Sequence, residues 1–196
     1  MAQSGISILL FLDPALRSEG ERLTATYPNV RIPEYLPMTP VPTEVKLPAQ
    51  RNASKDTAEY LWIQCRKLEM LERALAHTDR PYLAWIDFRI FHIFPEVEIC
   101  QARLKEIEIY PWSHSKILTP GCWAPGTYDP WTRILWRFCG GFLLAPRDRV
   151  NEAAERQAHL VLENLPKLTW EVNYWTQMED HFEWYKGDHN ATILPK

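Results

Sequence analysis

The first feature of this chain that could do chemistry is an acid delivered by an apolar strand. Leu83-Ala84-Trp85-Ile86-Asp87 carries a buried-type run into a carboxylate, and ligands of open α/β sheets bind beyond the carboxyl ends of the strands. A carboxylate placed there can hold a divalent ion bridging two phosphates, since Mg2+ and Mn2+ favour oxygen ligands in an octahedral shell. A helix cap or a turn residue is the plain alternative. Gly140-Gly141 is the second signal, with Arg137 before it and Phe142 after it. Adjacent glycines in an apolar segment mark either a tight bend or a close approach of backbone to a ligand. Arg137 could meet a phosphate or carboxylate there with its planar fork. Third is Thr169-Trp170-Glu171-Val172-Asn173-Tyr174-Trp175. On a helix Glu171 and Trp175 share one face, and Trp170 and Asn173 another. A carboxylate among aromatic rings can grip a sugar, yet a packed helix with one surface Glu has the same pattern. The fourth is Asp188-His189-Asn190. Imidazole is a frequent metal ligand whose ordinary pKa leaves it neutral near pH 7, and a solvated His fits the spacing equally.

These residues need elements to position them. Ile6–Leu12 (ISILLFL), bounded by Gly5 and Pro14, has the continuous apolar character of a strand buried on both faces of a parallel sheet. Ala15–Thr26 predicts a helix and Asn29–Ile32 a short strand. Five prolines between Pro33 and Pro48 exclude regular structure and make this a long loop. Lys55–His77 predicts one long helix, with Asp56 as its cap, Glu59 as the capping-box partner and a stripe of Leu61, Trp62, Cys65, Leu68, Leu71 and Leu75. Tyr82–Ile86 is the strand that ends in Asp87. Pro95–Lys105 reads as a helix, Ile107–Tyr110 as a strand and Thr119–Asp129 as a loop. Leu135–Ala145 reads as a strand pair or a bulged strand. Asp148 can cap a helix through about Leu162, Thr169 opens another, and Phe182–Tyr185 is a last strand. Strands alternating with helices predict a single α/β domain over residues 1–196, with a mostly parallel sheet flanked by helices.

Composition narrows the function classes. A hydrophobic share of 46% against 24% charged is ordinary for a globular chain with one core. A net charge of −3 with scattered Lys and Arg offers no attraction for a phosphate backbone, so nucleic acid is not an expected partner. Nine Trp suit both core packing and stacking on sugar rings. No apolar run is long enough to span a bilayer, and no basic segment precedes Ile6, so neither a transmembrane segment nor a signal peptide is expected. Cys65, Cys100, Cys122 and Cys139 lie 35, 22 and 17 apart without a CxxC pair. They read as reduced, mostly buried thiols of a cytoplasmic protein, although four cysteines could also form two bridges. Phosphate-binding glycine loops, a nucleophile elbow and H-E-x-x-H are all absent.

Taken together, Ala84–Phe88, Trp136–Phe142, Leu168–Trp175 and Asp188–Asn190, with Tyr60 and Lys67 on the long helix, resemble the HtrL/YibB family. These are bacterial proteins linked to surface-polysaccharide gene clusters and similar to glycosyltransferases. The likeness runs in order over roughly Ala58–Ile193. It implies a GT-A-like fold, that of nucleotide-diphospho-sugar transferases, and a metal-dependent transfer of sugar from a nucleotide-sugar donor to a glycan acceptor. The expected setting is surface-polysaccharide biosynthesis, in the cytoplasm or at the inner face of the membrane. On that resemblance Asp87 and His189 would hold Mn2+ or Mg2+, and Asp87 and Glu171 would be catalytic. Arg89, Arg137, Gly140, Gly141, Trp170, Asn173 and Trp175 would line donor or acceptor. Arg89 stands where the family pattern has a second acid, and the family usually begins with a further strand that this chain, starting near the second strand at Ile6–Leu12, is expected to lack. A non-catalytic carbohydrate- or nucleotide-binding module of the same fold is the competing expectation.

Overall fold

The computed structural model describes residues 1–88 and 90–195, and these fall into two compact units, Met1–Thr39 with Phe88–Pro111, and Pro40–Asp87 with Trp112–Pro195. In the first unit, strand β1 (Ile8–Leu9) pairs in parallel with β2 (Val30–Arg31), and helix α1 (Arg17–Thr26) makes the crossover. A further parallel bridge joins Leu12 to Tyr35. The run Ile6–Leu12 is therefore strand only in part. Ile6 is buried while Ile8–Leu12 are half-buried, because a two-stranded ribbon cannot cover both faces of a strand as a wide parallel sheet does.

Helix α4 (Val97–Ile109) takes in the stretch expected to be a strand, Ile107–Tyr110. Cys100, Leu104 and Ile107 are its buried residues, spaced four and three apart as one helical face requires. The Tyr110 amide closes the last turn onto the Glu106 carbonyl. The 3.6-residue period thus overrides the strand-like IEIY alternation.

The second unit is built on a four-stranded sheet of order β3-β5-β4-β6, with β3 Tyr82–Ile86, β4 Ile117–Gly121, β5 Phe142–Pro146 and β6 Phe182–Lys186. β5 is antiparallel to both β3 and β4, whereas β6 is parallel to β4. The sheet is mixed, not mostly parallel as expected. The reason lies in the connection: the chain from β4 to β5 contains no crossover helix, so it returns in the opposite sense beside the strand it left. β5 sits between two partners and is buried along its whole length, as is β4.

The long helix expected over Lys55–His77 is broken into α2 (Ala58–Gln64) and α3 (Lys67–Ala74), followed by a 3-10 turn at Leu75–His77. At the break the Gln157 amide donates to the Cys65 carbonyl, while the Arg66 amide bonds to Ile63. A side chain entering the i→i−4 ladder is a sufficient cause of such a kink. The cap of α2 is Thr57, whose hydroxyl accepts from the Tyr60 amide. Asp56 is instead buried and accepts from the Asn52 amide. α3 packs on α5 (Val150–Asn164) and on β3. Phe138, Trp175 and Phe182 stack with centroids 5.1 to 6.4 Å apart, each such pair adding about 0.5–1.5 kcal/mol beyond area burial.

Candidate functional site

β3 and β4 both oppose β5, and β6 follows β4, so three strands of this sheet point the same way. Their carboxyl ends open on one edge. Asp87 leaves β3 there, Cys122 leaves β4, and Gly187-Asp188-His189 leaves β6. Gly140-Gly141 enters β5 on the same edge, where the Asp87 amide donates to the Gly141 carbonyl at 2.9 Å.

At the centre is Lys67, the first residue of α3. Its ammonium is almost fully enclosed and donates to Glu171 Oε1 at 2.7 Å and to the Gly140 carbonyl at 2.7 Å. It also lies 3.1 Å from Asp87 Oδ1. The Trp85 indole N–H donates to the same Asp87 oxygen at 2.8 Å. Burial works to lower the Lys67 pKa, but the charges of Glu171 and Asp87 and their hydrogen bonds outweigh it, and the net shift is upward. The lysine is therefore held as ammonium. Tyr60, half-buried nearby, has its phenol pushed up by burial first and then by the charge of Glu171.

The two carboxylates differ. Glu171, at the start of the short helix α6 (Glu171–Trp175), is only 4% exposed and is committed to Lys67. Asp87 keeps 39% of its side chain open. A Cβ built on Gly141 would lie 3.8 Å from Asp87 Oδ2 and 2.8 Å from Ile193 Cδ1, so the C-terminal turn Ala191–Ile193 flanks the same spot as Asp87 Oδ2. The glycine pair is required by side chains of the chain itself. A Cβ on Gly140 would fall 2.1 Å from Glu171 Oε1, which no real contact allows.

Several residues expected to line a substrate belong to the core instead. Arg137 is buried, with Nε donating to Glu179 at 2.9 Å, Nη1 to the Trp123 carbonyl at 3.2 Å, and its plane between Phe138 and Trp184. Its fork is thus taken by Glu179. Asn173 is fully enclosed and pins the loop after Pro130: it accepts from the Leu135 amide and donates to the carbonyls of Pro130 and Arg133. Trp175 has no exposed surface and donates to Gln157 at 2.6 Å, and Trp170 is buried as the N-cap residue of α6. An aromatic-rich helix of this kind gains more by filling a core than by facing water. Arg89 lies outside the described residues.

His189 is exposed, its amide donating to Asp188 Oδ1 at 2.6 Å and its ring 6.2 Å from that of Trp136. Among the described residues there is no group of three or more His, Cys, Asp or Glu arranged to hold a metal ion. Asp87, with 39% of its side chain open, is the carboxylate of this cluster that solvent reaches.

Lys67, outside the expected set of site residues, stands at the centre of the cluster. It stands four before Leu71 and seven before Ala74, on the apolar face of α3, and a lysine on such a stripe signals a buried partner. Comparison with protein-family models, with curated proteins and with solved structures yields no match. The fold and site alone define the class: a mixed α/β sheet with a lysine-bridged pair of carboxylates at its carboxyl edge.

Proposed function

We propose that this chain is a metal-dependent glycosyltransferase that takes a sugar from a nucleotide-diphosphate donor and passes it to a glycan acceptor. The observation that carries the reading is the asymmetry at the carboxyl edge, where Oδ1 of Asp87 is fixed by Lys67 and Trp85 while the side chain keeps 39% of its surface open, in contrast to the buried Glu171. Such a carboxylate is pre-oriented, so little reorganisation is needed when a ligand arrives. Asp87 Oδ2 would hold Mn2+ or Mg2+ together with the donor phosphates, with His189 from the same edge as the second candidate ligand. The ion would supply Lewis-acid stabilisation of the departing diphosphate. Lys67 acts through Asp87 and Glu171 as a positioning residue. Glu171 keeps the ammonium in place, and Gly140 lets Glu171 approach the chain closely enough to do so.

A non-catalytic binding module is the second reading. The burial of Glu171 favours it, because a carboxylate spent on Lys67 does not reach a sugar. Calorimetric titration with UDP, GDP and dTDP, each with and without Mn2+, separates the two. Metal-dependent binding of one nucleotide, lost in a folded Asp87→Asn variant, supports the transferase donor site. Metal-independent binding that survives Asp87→Asn supports the module. Folded protein that binds none of them sinks the transferase reading and leaves only a module that takes a carbohydrate.

A further inference from the structure

Two thiols on the same edge of the sheet stand outside the proposed chemistry. Cys122 Sγ and Cys139 Sγ are 3.4 Å apart, and both are free. The backbone sets them side by side: the Cys122 amide donates to the Trp136 carbonyl at 3.0 Å, and the Cys139 amide to the Pro120 carbonyl at 2.8 Å. These two backbone bonds tie the segments together beside the thiols, and a disulfide needs its sulfurs about 2.05 Å apart, closer than they stand here. Cys65 and Cys100 show no such approach to another cysteine among the described residues.

The pair also touches the segment that leaves β6. Cys122 Sγ lies 3.4 Å from the Gly187 carbonyl and 3.4 Å from Asp188 Oδ1, and Cys139 Sγ lies 3.7 Å from the same carbonyl. The S–H groups are thus the donors that face the root of Gly187-Asp188-His189.

We propose that Cys122 and Cys139 form a reversible intramolecular disulfide, making this pair a redox modification site. The oxidant is a low-molecular-weight disulfide such as oxidised glutathione. Cys122 is half-buried and Cys139 buried, so Cys122 meets it first. The Cys122 thiolate, its proton given to solvent, displaces one glutathione thiolate and forms a mixed disulfide. Cys139 then loses its proton and attacks the Cys122 sulfur, and the second glutathione leaves as thiolate. In sum two protein thiols become one disulfide, and one oxidised glutathione becomes two reduced glutathiones. A disulfide has no S–H, so oxidation withdraws both donors from Gly187 O and Asp188 Oδ1, at the root of the turn that carries His189. The inference does not depend on the glycosyltransferase reading.

Alkylation and peptide mass analysis test it on the full folded chain. After incubation with oxidised glutathione, alkylated cysteines should fall from the four of the reduced protein to two, with peptides joined through Cys122 and Cys139 and restored by dithiothreitol. The Cys139→Ser variant should stop at a glutathione adduct on Cys122. Recovery of Cys122 and Cys139 both alkylated, or a crosslink through Cys65 or Cys100, overturns the proposal. A Cys139→Ser chain that acquires no adduct, while Cys122→Ser acquires one on Cys139, overturns the stated order.

Discussion

Lys67 places one ammonium between two carboxylates inside the protein, 2.7 Å from Glu171 and 3.1 Å from Asp87. Removing one partner of such a buried set leaves uncompensated charge, which costs about 3–5 kcal/mol. Lys67→Met should therefore lower stability by an amount in that range, read from urea unfolding, while Arg103→Met at the exposed pair with Glu106 should change it little. Equal, small effects from both would show that the cluster is not energetically buried. The same residue sets a pH dependence. Folding raises the Lys67 pKa, so its contribution is complete below the unfolded value of 10.5 and is lost as pH rises through the folded one. Burial likewise pushes the Cys122 and Cys139 thiols up from 9.0, which makes the folded state lose ground from that pH upward. Stability should thus fall between about pH 9 and pH 11, and a urea midpoint that holds constant over this window would contradict it.

At the scale of elements, Gln157 on α5 ties three segments together. Its amide nitrogen serves the Cys65 carbonyl at the kink between α2 and α3, and its oxygen accepts the Trp175 indole N–H of α6. Gln157→Leu keeps the volume and strands both partners in the core, at about 1–3 kcal/mol for each unsatisfied group. The expected outcome is a destabilisation above 2 kcal/mol with loss of near-ultraviolet signal from Trp175; a neutral result would mean that water reaches these groups. The break at Cys65–Arg66 also decides the site, because it begins α3 afresh at Lys67. The capping pattern in the sequence suggested a single helix because the partner that interrupts it lies 92 residues away.

Across the whole molecule, protection should follow the sheet of the second unit. β5 is paired on both sides and buried at all five positions, whereas β1 and β2 are two-residue strands with one partner each. Local opening costs least where few buried contacts are broken. Hydrogen exchange of β5 amides should be slowest and that of β1 and β2 among the fastest of the strands, and the reverse order would mean that the first unit is the stable one. No helix among the described residues is long and apolar enough to cross a membrane.

Local pattern was enough for the parts that depend on near neighbours. The strand Tyr82–Ile86 running into Asp87, the helix after Asp148 and the strand at Phe182 follow from runs and periods a few residues long. The glycine pair left a tight bend and a close approach to a ligand equally open, and the structure shows it crowded by Glu171 and Ile193 of the chain itself. Tertiary structure alone decided the rest. Only contacts 73 and 104 residues apart bring Gly140 and Glu171 to Lys67. Only the fold turns Arg137 onto Glu179, buries Asn173 and Trp175, and inserts β5 antiparallel between β3 and β4. Helical and strand periods record which residues are buried, but a buried polar side chain takes its role from its partner, and partners are chosen by packing between distant segments.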